Sequence, residues 1–508
     1  MEINPSINLR ALEMEITFVL NSKEVTDKVR PEETVLEYLH KKGLQGTREG
    51  CGEGDCGACS VSIGEKTIDS FRYRVVTSCL MSAVQLHGKH LITVEGLAEN
   101  KKLHPVQKAI VDSHGTQCGF CTPGIVMTLF TLFNQESNPD DNRIKEYLTG
   151  NLCRCTGYDS IMHGAKIARE NKAGHIAFEN FGQIPALIER ILEKNPFPKV
   201  TLSGGNGTAY SFPKNFDDLF SLNPLNTKSI LTGGSDLFVN IKKRDFEPEH
   251  IVDITGIPEL TEVKIEENGI TIGSAVLLSD IEDNDELMLN LPPLAEALPL
   301  MASRQVKSLA SLGGNLGNAS PIADTIPPLW VMGARVILLS ENSKREVDLS
   351  DFFIDYKKTQ IAENEIIGGY FIPAFNGAVS DDEVFFSFEK ISKRTHLDIA
   401  SANSALSISL DEKGLIKKAV YVIGGCAAVP IAANKTCDFL FGKKIDFKTV
   451  KQAGKIAAKE VSPMDDVRGS AEYRRLLAER MLIKHFVKIF PQDMAADING
   501  NNTFDLII

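Results

Sequence analysis

The sequence predicts a multidomain α+β chain, and three features carry that expectation. At 508 residues it is longer than one hydrophobic core organises, so three or four domains of ordinary size are expected. Eight of its ten cysteines lie in the first 155 residues, in two quartets set among glycines. From about residue 199 the pattern changes to short strands, glycine turns and helices. A formal net charge of −12 disfavours nucleic acid or an anionic membrane as a partner. The opening MEINPSINLRALEMEITF has no basic stretch followed by an apolar one, so a cytoplasmic protein is expected. The longest mainly apolar run, AVYVIGGCAAVPIAA at 419–433, is too short to span a bilayer and is broken by Gly424, Gly425 and Pro430.

EITFVLNSKEVTDKV, 15–29, alternates Ile16, Phe18 and Leu20 before Asn21-Ser22, which predicts a hairpin. TVLEYLHKKG then places Val35, Leu36 and Leu39 on one helical face, with Gly43 closing the helix. In CGEGDCGACS, Cys51, Cys56 and Cys59 follow C-x4-C-x2-C with Cys79 as a distant fourth, the spacing of a plant-type [2Fe–2S] site. Gly50, Gly52, Gly54 and Gly57 let such a loop turn and aim backbone N–H groups at sulfur. Zinc sites usually pair two C-x2-C units or add histidine, and no histidine lies between Cys51 and Cys79. CSVSIGEKTI adds Val61 and Ile63 on one side, a turn at Gly64 and a second strand. Strands around one helix predict a β-grasp [2Fe-2S] ferredoxin domain over 13–95.

The second quartet has a helical setting. HPVQKAIVDSHG, 104–115, carries Pro105 early and Gly115 at its end. Cys118 and Cys121 precede Pro123 and a helix apolar on nearly every face, which must be buried. NRIKEYLTGNLCRCTGYDSIMHGAKIA gives a helix capped at Gly150, then Cys153 and Cys155, then a helix from about Gly157. Two helix-to-helix turns thus gather four thiolates in a four-helix bundle over 96–172. C-x2-C with C-x-C is not a standard ferredoxin spacing, so zinc stays open for this quartet. A neighbouring cluster favours a second redox centre, because two side by side make a wire.

Residues 173–198 read as a linker with one short helix. Beyond it, LTGGSDLFVN at 231–240, TIGSAVLLSDI at 271–281 and SLASLGGNLGNASPIADTIPP at 308–328 are glycine-bearing. None has the G-x-G-x-x-G spacing between strand and helix, so a Rossmann site is not supported. A glycine turn entering a helix can still bind pyrophosphate, although each stretch taken alone reads more readily as a structural turn. Cys426 and Cys437 read as buried small hydrophobes.

GCGEGDCGAC, GTQCGFCTPGIVM and GNLCRCTGY resemble the paired [2Fe–2S] signatures of the molybdenum hydroxylases. The resemblance implies one cluster on Cys51, Cys56, Cys59 and Cys79 and another on Cys118, Cys121, Cys153 and Cys155. It also implies that Gln117 contacts a molybdopterin across a subunit interface. TGGSDL is similar to the family's first flavin diphosphate loop, implying FAD against Gly233, Gly234, Ser235 and Asp236. SLGGNLGNASPIAD is similar to the second, implying Ser311, Gly314, Asn315, Ser320 and Asp324 around FAD phosphate and ribose. FFIDYKKTQI, ending at Ile361, and EKISKRTHLDIASA, with Lys390, resemble segments near the flavin ring, Lys390 as a positive charge beside a reduced flavin. The resemblance extends the fold to a two-part α+β FAD-binding domain over 199–378 and a small α+β C-terminal flavoprotein domain over 383–490. Met301, where some members carry an aromatic, and PIADTIPP depart from the family pattern.

This order of domains in one chain implies an electron-transfer subunit with no substrate-oxidising site of its own. Electrons from molybdopterin on a large partner chain would cross the two clusters to FAD and then NAD+, during oxidation of hypoxanthine and xanthine. The assembly would be a heteromer, a dimer of heterodimers. Aldehyde or N-heterocycle oxidation is the alternative within the family. A stand-alone NADH-linked iron–sulfur flavoprotein reductase, or a cluster scaffold for assembly or sensing, is the alternative outside it.

Overall fold

The computed structural model describes residues 13–67, 70–98, 101–171, 182–197, 208–374 and 383–496. They fall into two compact units, one built from the chain up to Ile257 plus Ser303–Ala310, the other from Pro258–Ala302 plus the chain from Ser311 onward.

The first unit opens with the expected hairpin, β1 (Met14–Leu20) and β2 (Lys23–Val29), closed by Asn21 at φ 55°. Helix α1 (Val35–Lys41) is fixed at its start by Thr34, whose Oγ1 accepts from Glu37 N while the Glu37 carboxylate accepts from Thr34 N. Strands β3 (Ser60–Lys66), β4 (Phe71–Thr77) and β5 (His90–Ile92) complete a sheet of order β2-β1-β5-β3-β4, with β1 and β5 parallel. Gly64 is not the turn that the sequence predicts. It lies inside β3, where a Cβ would stand 2.6 Å from the Tyr73 ring, so glycine makes room for a cross-strand aromatic.

Helices α2 (Pro105–Asp112), α3 (Thr122–Gln135), α4 (Asp141–Leu148) and α5 (Asp159–Glu170) form the second domain. Every residue of α3 from Gly124 to Phe133 is buried. At roughly 1.5–3 kcal/mol per large apolar side chain, that helix is the organising element. Gly150 and Gly115 do not cap through positive φ; His114 takes that conformation at φ 56°. The first part of the predicted linker lies outside the described residues, but its helix is there as Ile184–Lys194. It is no free tether: Ile184, Ile188 and Ile191 join the core of the helical domain. The unit also holds a parallel sheet of β6 (Ala209–Ser211), β7 (Ser229–Leu231) and β8 (His250–Asp253), whose Tyr210, Leu231 and Ile251 share a core with α1 and β3.

In the second unit, β9 (Val263–Glu266), β10 (Gly269–Gly273), β11 (Arg335–Ser340) and β12 (Ser343–Asp348) precede a small hairpin, β13 (Phe353–Asp355) and β14 (Lys358–Thr359). With β15 (Ile366–Pro373) the larger strands form an antiparallel sheet ordered β12-β11-β15-β10-β9. A second antiparallel sheet, β16 (Val384–Ile391), β17 (Ala402–Leu410), β18 (Ile416–Gly424) and β19 (Ile431–Ala432), is packed by helices Phe447–Glu460 and Ala471–Ile489. Burial pushes the Cys426 and Cys437 thiols up to about 12 and about 11, as expected of cysteines used as small hydrophobes. Cys426 is fully buried and Cys437 partly so.

His485, fully buried on the last long helix, meets Ser404 Oγ through Nε2 at 2.9 Å and Ser387 Oγ through Nδ1 at 3.0 Å. Burial, with Lys488 and Lys484 nearby, lowers its pKa from 6.5 to about 3. The unfolded chain therefore binds the proton that the folded one refuses, and stability present above pH 6.5 is lost as pH falls toward 3. Urea unfolding of the second unit is expected to weaken by up to about 1.4 kcal/mol per pH unit in that window. His485→Gln should remove that part of the slope.

Candidate functional site

Cys51, Cys56 and Cys59 of the first quartet sit on the loop between α1 and β3. Gly52, Gly54 and Gly57 take φ of +67°, +87° and +63°, conformations that turn successive amides inward. Glu53 N donates to Cys51 Sγ and Cys51 N to Cys56 Sγ, each at 3.3 Å. Cys79, in the turn after β4, brings its sulfur within 3.3 Å of Cys59 Sγ. The hydrogen bond with Cys56 brings the Cys51 thiol down to about 5, and the contact with Cys79 lowers Cys59, while Cys56 and Cys79 are pushed up. The four groups thus form two pairs, each readily holding one negative charge. A Cβ on Gly57 would fall 2.3 Å from Gly150 O, backbone against backbone. Gly57→Ala is therefore expected to lower iron binding, read as iron and sulfide per chain.

The second quartet repeats the pattern. Cys118 and Cys121 occupy the turn before α3, and Cys153 and Cys155 the loop between α4 and α5. The Phe120 N–H and then Cys155 lower the Cys118 thiol. Burial alone would raise Cys153, but the Thr156 hydroxyl, at 3.2 Å, and backbone N–H groups bring it down. Burial and Cys153 push Cys121 up to about 12, and Cys118 raises Cys155. Tyr158, left-handed at φ 73°, accepts Cys153 N on its hydroxyl at 2.9 Å. Cys118 and Cys155 are exposed, with Gln117 exposed beside them. Among the described residues no group of three or more His, Cys, Asp and Glu is set around a single metal ion, and each quartet is a pair of pairs. All-thiol donors, with amides turned toward sulfur, fit an iron–sulfur cluster.

The loops expected to hold flavin are described in separate units. In the first, Gly234 at φ +79° leads into the helix Ser235–Lys243, with Asp236 in its first turn accepting from Asn240 Nδ2 at 3.2 Å. A Cβ on Gly233 would lie 1.5 Å from Leu309 O, so only glycine fits. A left-handed glycine at a helix start presents free N–H groups and the positive helix end, a fit for a diphosphate.

In the second unit, Ser311 caps the helix Leu312–Gly317 by accepting Gly314 N at 2.9 Å. Asn315 Oδ1 accepts the Thr325 hydroxyl at 2.6 Å, and Ser320 Oγ accepts Ile322 N at 3.5 Å. Asp324 is enclosed: Lys390 Nζ donates to Oδ2 and Asn403 Nδ2 to Oδ1, both at 2.7 Å. Burial raises the Asp324 pKa against the opposing pull of these two partners. Lys390 also donates to Leu300 O at 2.8 Å, so its ammonium is held in a buried ion pair. Ile361, partly exposed after β14, is not part of this hydrogen-bonded group. Asn403 escapes prediction, although polar residues alternating with apolar ones along ANSALSISL, buried up to Ser409, are the signal that could have found it.

Four family models match the chain in succession. These are a 2Fe-2S iron-sulfur cluster binding domain at 18–84, a [2Fe-2S] binding domain at 93–166, the FAD binding domain in molybdopterin dehydrogenase at 205–375, and the CO dehydrogenase flavoprotein C-terminal domain at 387–489. Among curated relatives, xanthine dehydrogenase/oxidase of Rattus norvegicus is 32% identical over 95% of this chain and 40% of its own length. Xanthine dehydrogenase 1 of Arabidopsis thaliana is 29% identical over 89% and 38%. The chain thus spans about two fifths of these relatives. Among solved structures, carbon monoxide dehydrogenase from Hydrogenophaga pseudoflava, lacking the Mo-pyranopterin moiety of its molybdenum cofactor, is similar with a TM-score of 0.51 and 27% identity. That likeness covers 54% of this chain and 94% of the other. The chain thus carries, in order, the iron–sulfur and FAD domains found in the molybdenum hydroxylases, an oxidoreductase family. It carries two [2Fe–2S]-binding domains, which sets zinc aside for the second quartet, and an FAD-binding domain.

Proposed function

We propose that this chain is the electron-transfer subunit of a xanthine dehydrogenase, taking electrons from molybdopterin on a partner chain and delivering them to NAD+. When bound, [2Fe–2S] clusters carry single electrons, and FAD accepts them singly and releases a hydride, which suits a two-electron oxidation. Cys51, Cys56, Cys59 and Cys79 would hold one cluster, and Cys118, Cys121, Cys153 and Cys155 the other. The exposed edge of the second quartet, with Gln117, would face the partner. Gly233 to Asp236 would take the FAD diphosphate on backbone N–H groups. Ser311, Gly314, Asn315 and Ser320 would line its phosphate and ribose, and Ile361 the flavin ring. Asp324 would lie by the FAD ribose, and Lys390, paired with it, would stand as a positive charge beside the reduced flavin.

The observation that carries this reading is the presence of both quartets and both flavin loops in order on one chain. The xanthine dehydrogenases match across 95% of the chain in the rat case, clusters included, whereas the carbon monoxide dehydrogenase likeness covers 54%. The test is purification of the native complex with its partner. Four irons and one FAD per chain, molybdenum on the partner, flavin reduction by xanthine and NAD+-dependent turnover are expected. NADH oxidation by a chain without any molybdenum partner would overturn the assignment.

A further inference from the structure

The segment SRQVKSLA, Ser303–Ala310, returns from the second unit's stretch of sequence to pack in the first. Its polar residues read as surface, yet Ser303 and Gln305 are fully buried, and Arg304, Lys307 and Ser308 are no more than 4% exposed. Gln305 Nε2 donates to Thr128 Oγ1 of α3 at 3.0 Å and to Asn151 Oδ1 at 2.9 Å. Asn151, two residues before Cys153, donates through Nδ2 to Gly57 O at 3.0 Å, between Cys56 and Cys59. Beside that contact, Leu152 N donates to Cys56 O at 3.0 Å. There is no slack in the joint: a Cβ on Gly150 would stand 2.1 Å from Gln305 Oε1.

We propose that Gln305 and Asn151 are positioning residues for electron transfer between the two clusters, an inference that rests on the relay proposed above. They hold the loop of the first quartet against the loop of the second. The Leu152 amide, one peptide from Cys153, thereby stays hydrogen-bonded to the carbonyl of Cys56. The continuous path runs from the Cys153 thiolate along its backbone to Leu152 N–H, across one hydrogen bond to Cys56 C=O, and on to the Cys56 thiolate. With both clusters bound, this route would carry electrons singly, with no proton moved and no covalent bond changed. Two neutral amides suit this task, since they fix register without placing charge beside centres whose potentials respond to charge and hydrogen bonding.

The test uses the full-length chain carrying both clusters, as wild type, Gln305→Met and Asn151→Ser. Iron per chain, exchange protection of the Leu152 amide, and re-equilibration between the two paramagnetic signals after substoichiometric photoreduction are measured. The variants are expected to keep four irons, lose Leu152 protection and re-equilibrate more slowly by on the order of tenfold, since small misplacements of reacting groups act on that scale or above. Should a variant bind less iron, Gln305→Glu, of equal volume but lacking the donor, carries the same measurements. Wild-type rate and protection with full iron would overturn the positioning role. Fewer than two clusters in the wild type would overturn the relay itself, and the iron assay reads that separately.

Discussion

Asp324→Ala is expected to destabilise the second unit by about 3–5 kcal/mol, the cost of stranding a buried charge. The Lys390 and Asp324 side chains are only 3% and 10% exposed, so solvent screens the pair little. With the carboxylate gone, Lys390 keeps Leu300 O as an acceptor but no counter-charge, and Asn403 Nδ2 keeps only Ile322 O, at 3.1 Å. Lys390→Met should cost a similar amount, by leaving Asp324 with Asn403 alone. The double variant Asp324→Leu with Lys390→Met should recover most of the loss, because apolar residues of similar volume need no partner. Urea unfolding checks the energies. Flavin absorbance per chain checks the site, and both single variants are expected to lose bound FAD. Full stability in either one would show that the pair is not the closed unit described above.

Cys59→Ser should interrupt the relay at its first quartet. Iron per chain is expected to fall by half, with one paramagnetic signal remaining after reduction. Flavin reduction by xanthine through the partner should be lost, whereas direct flavin reduction by NADH should persist, because that route does not involve the clusters. The contrast between the two reductants is the measurement that matters. Loss of both would point to general unfolding. Retention of both would remove this quartet from the path.

Much of the chemistry was legible because short-range patterns encode it. C-x4-C-x2-C with interleaved glycines, the alternation of β1 before Asn21, and the wholly apolar face of α3 each depend on neighbours within a few residues, and the structure has the elements they predict. Gly64 was misread for the converse reason: its role is set by Tyr73 on the next strand, and a lone glycine in a strand pattern reads equally as a turn. The pairing of Lys390 with Asp324 joins residues 66 positions apart, beyond the reach of any local pattern. Gln305 and Asn151 were invisible for the same cause. Their neighbours Arg304, Lys307 and Ser308 give SRQVKS the composition of an exposed turn, and its burial depends on Thr128 and Asn151, more than 150 positions earlier.

The return of Ser303–Ala310 to the first unit also bears on how the molecule is made. A ribosome that has released everything up to Ile257 has emitted all eight cysteines of the two quartets but not the piece that locks their two loops together. That piece emerges only after Pro258–Ala302, which belongs to the other unit. The amino-terminal stretch alone therefore does not close this half of the molecule, because its locking segment is made only after part of the other unit.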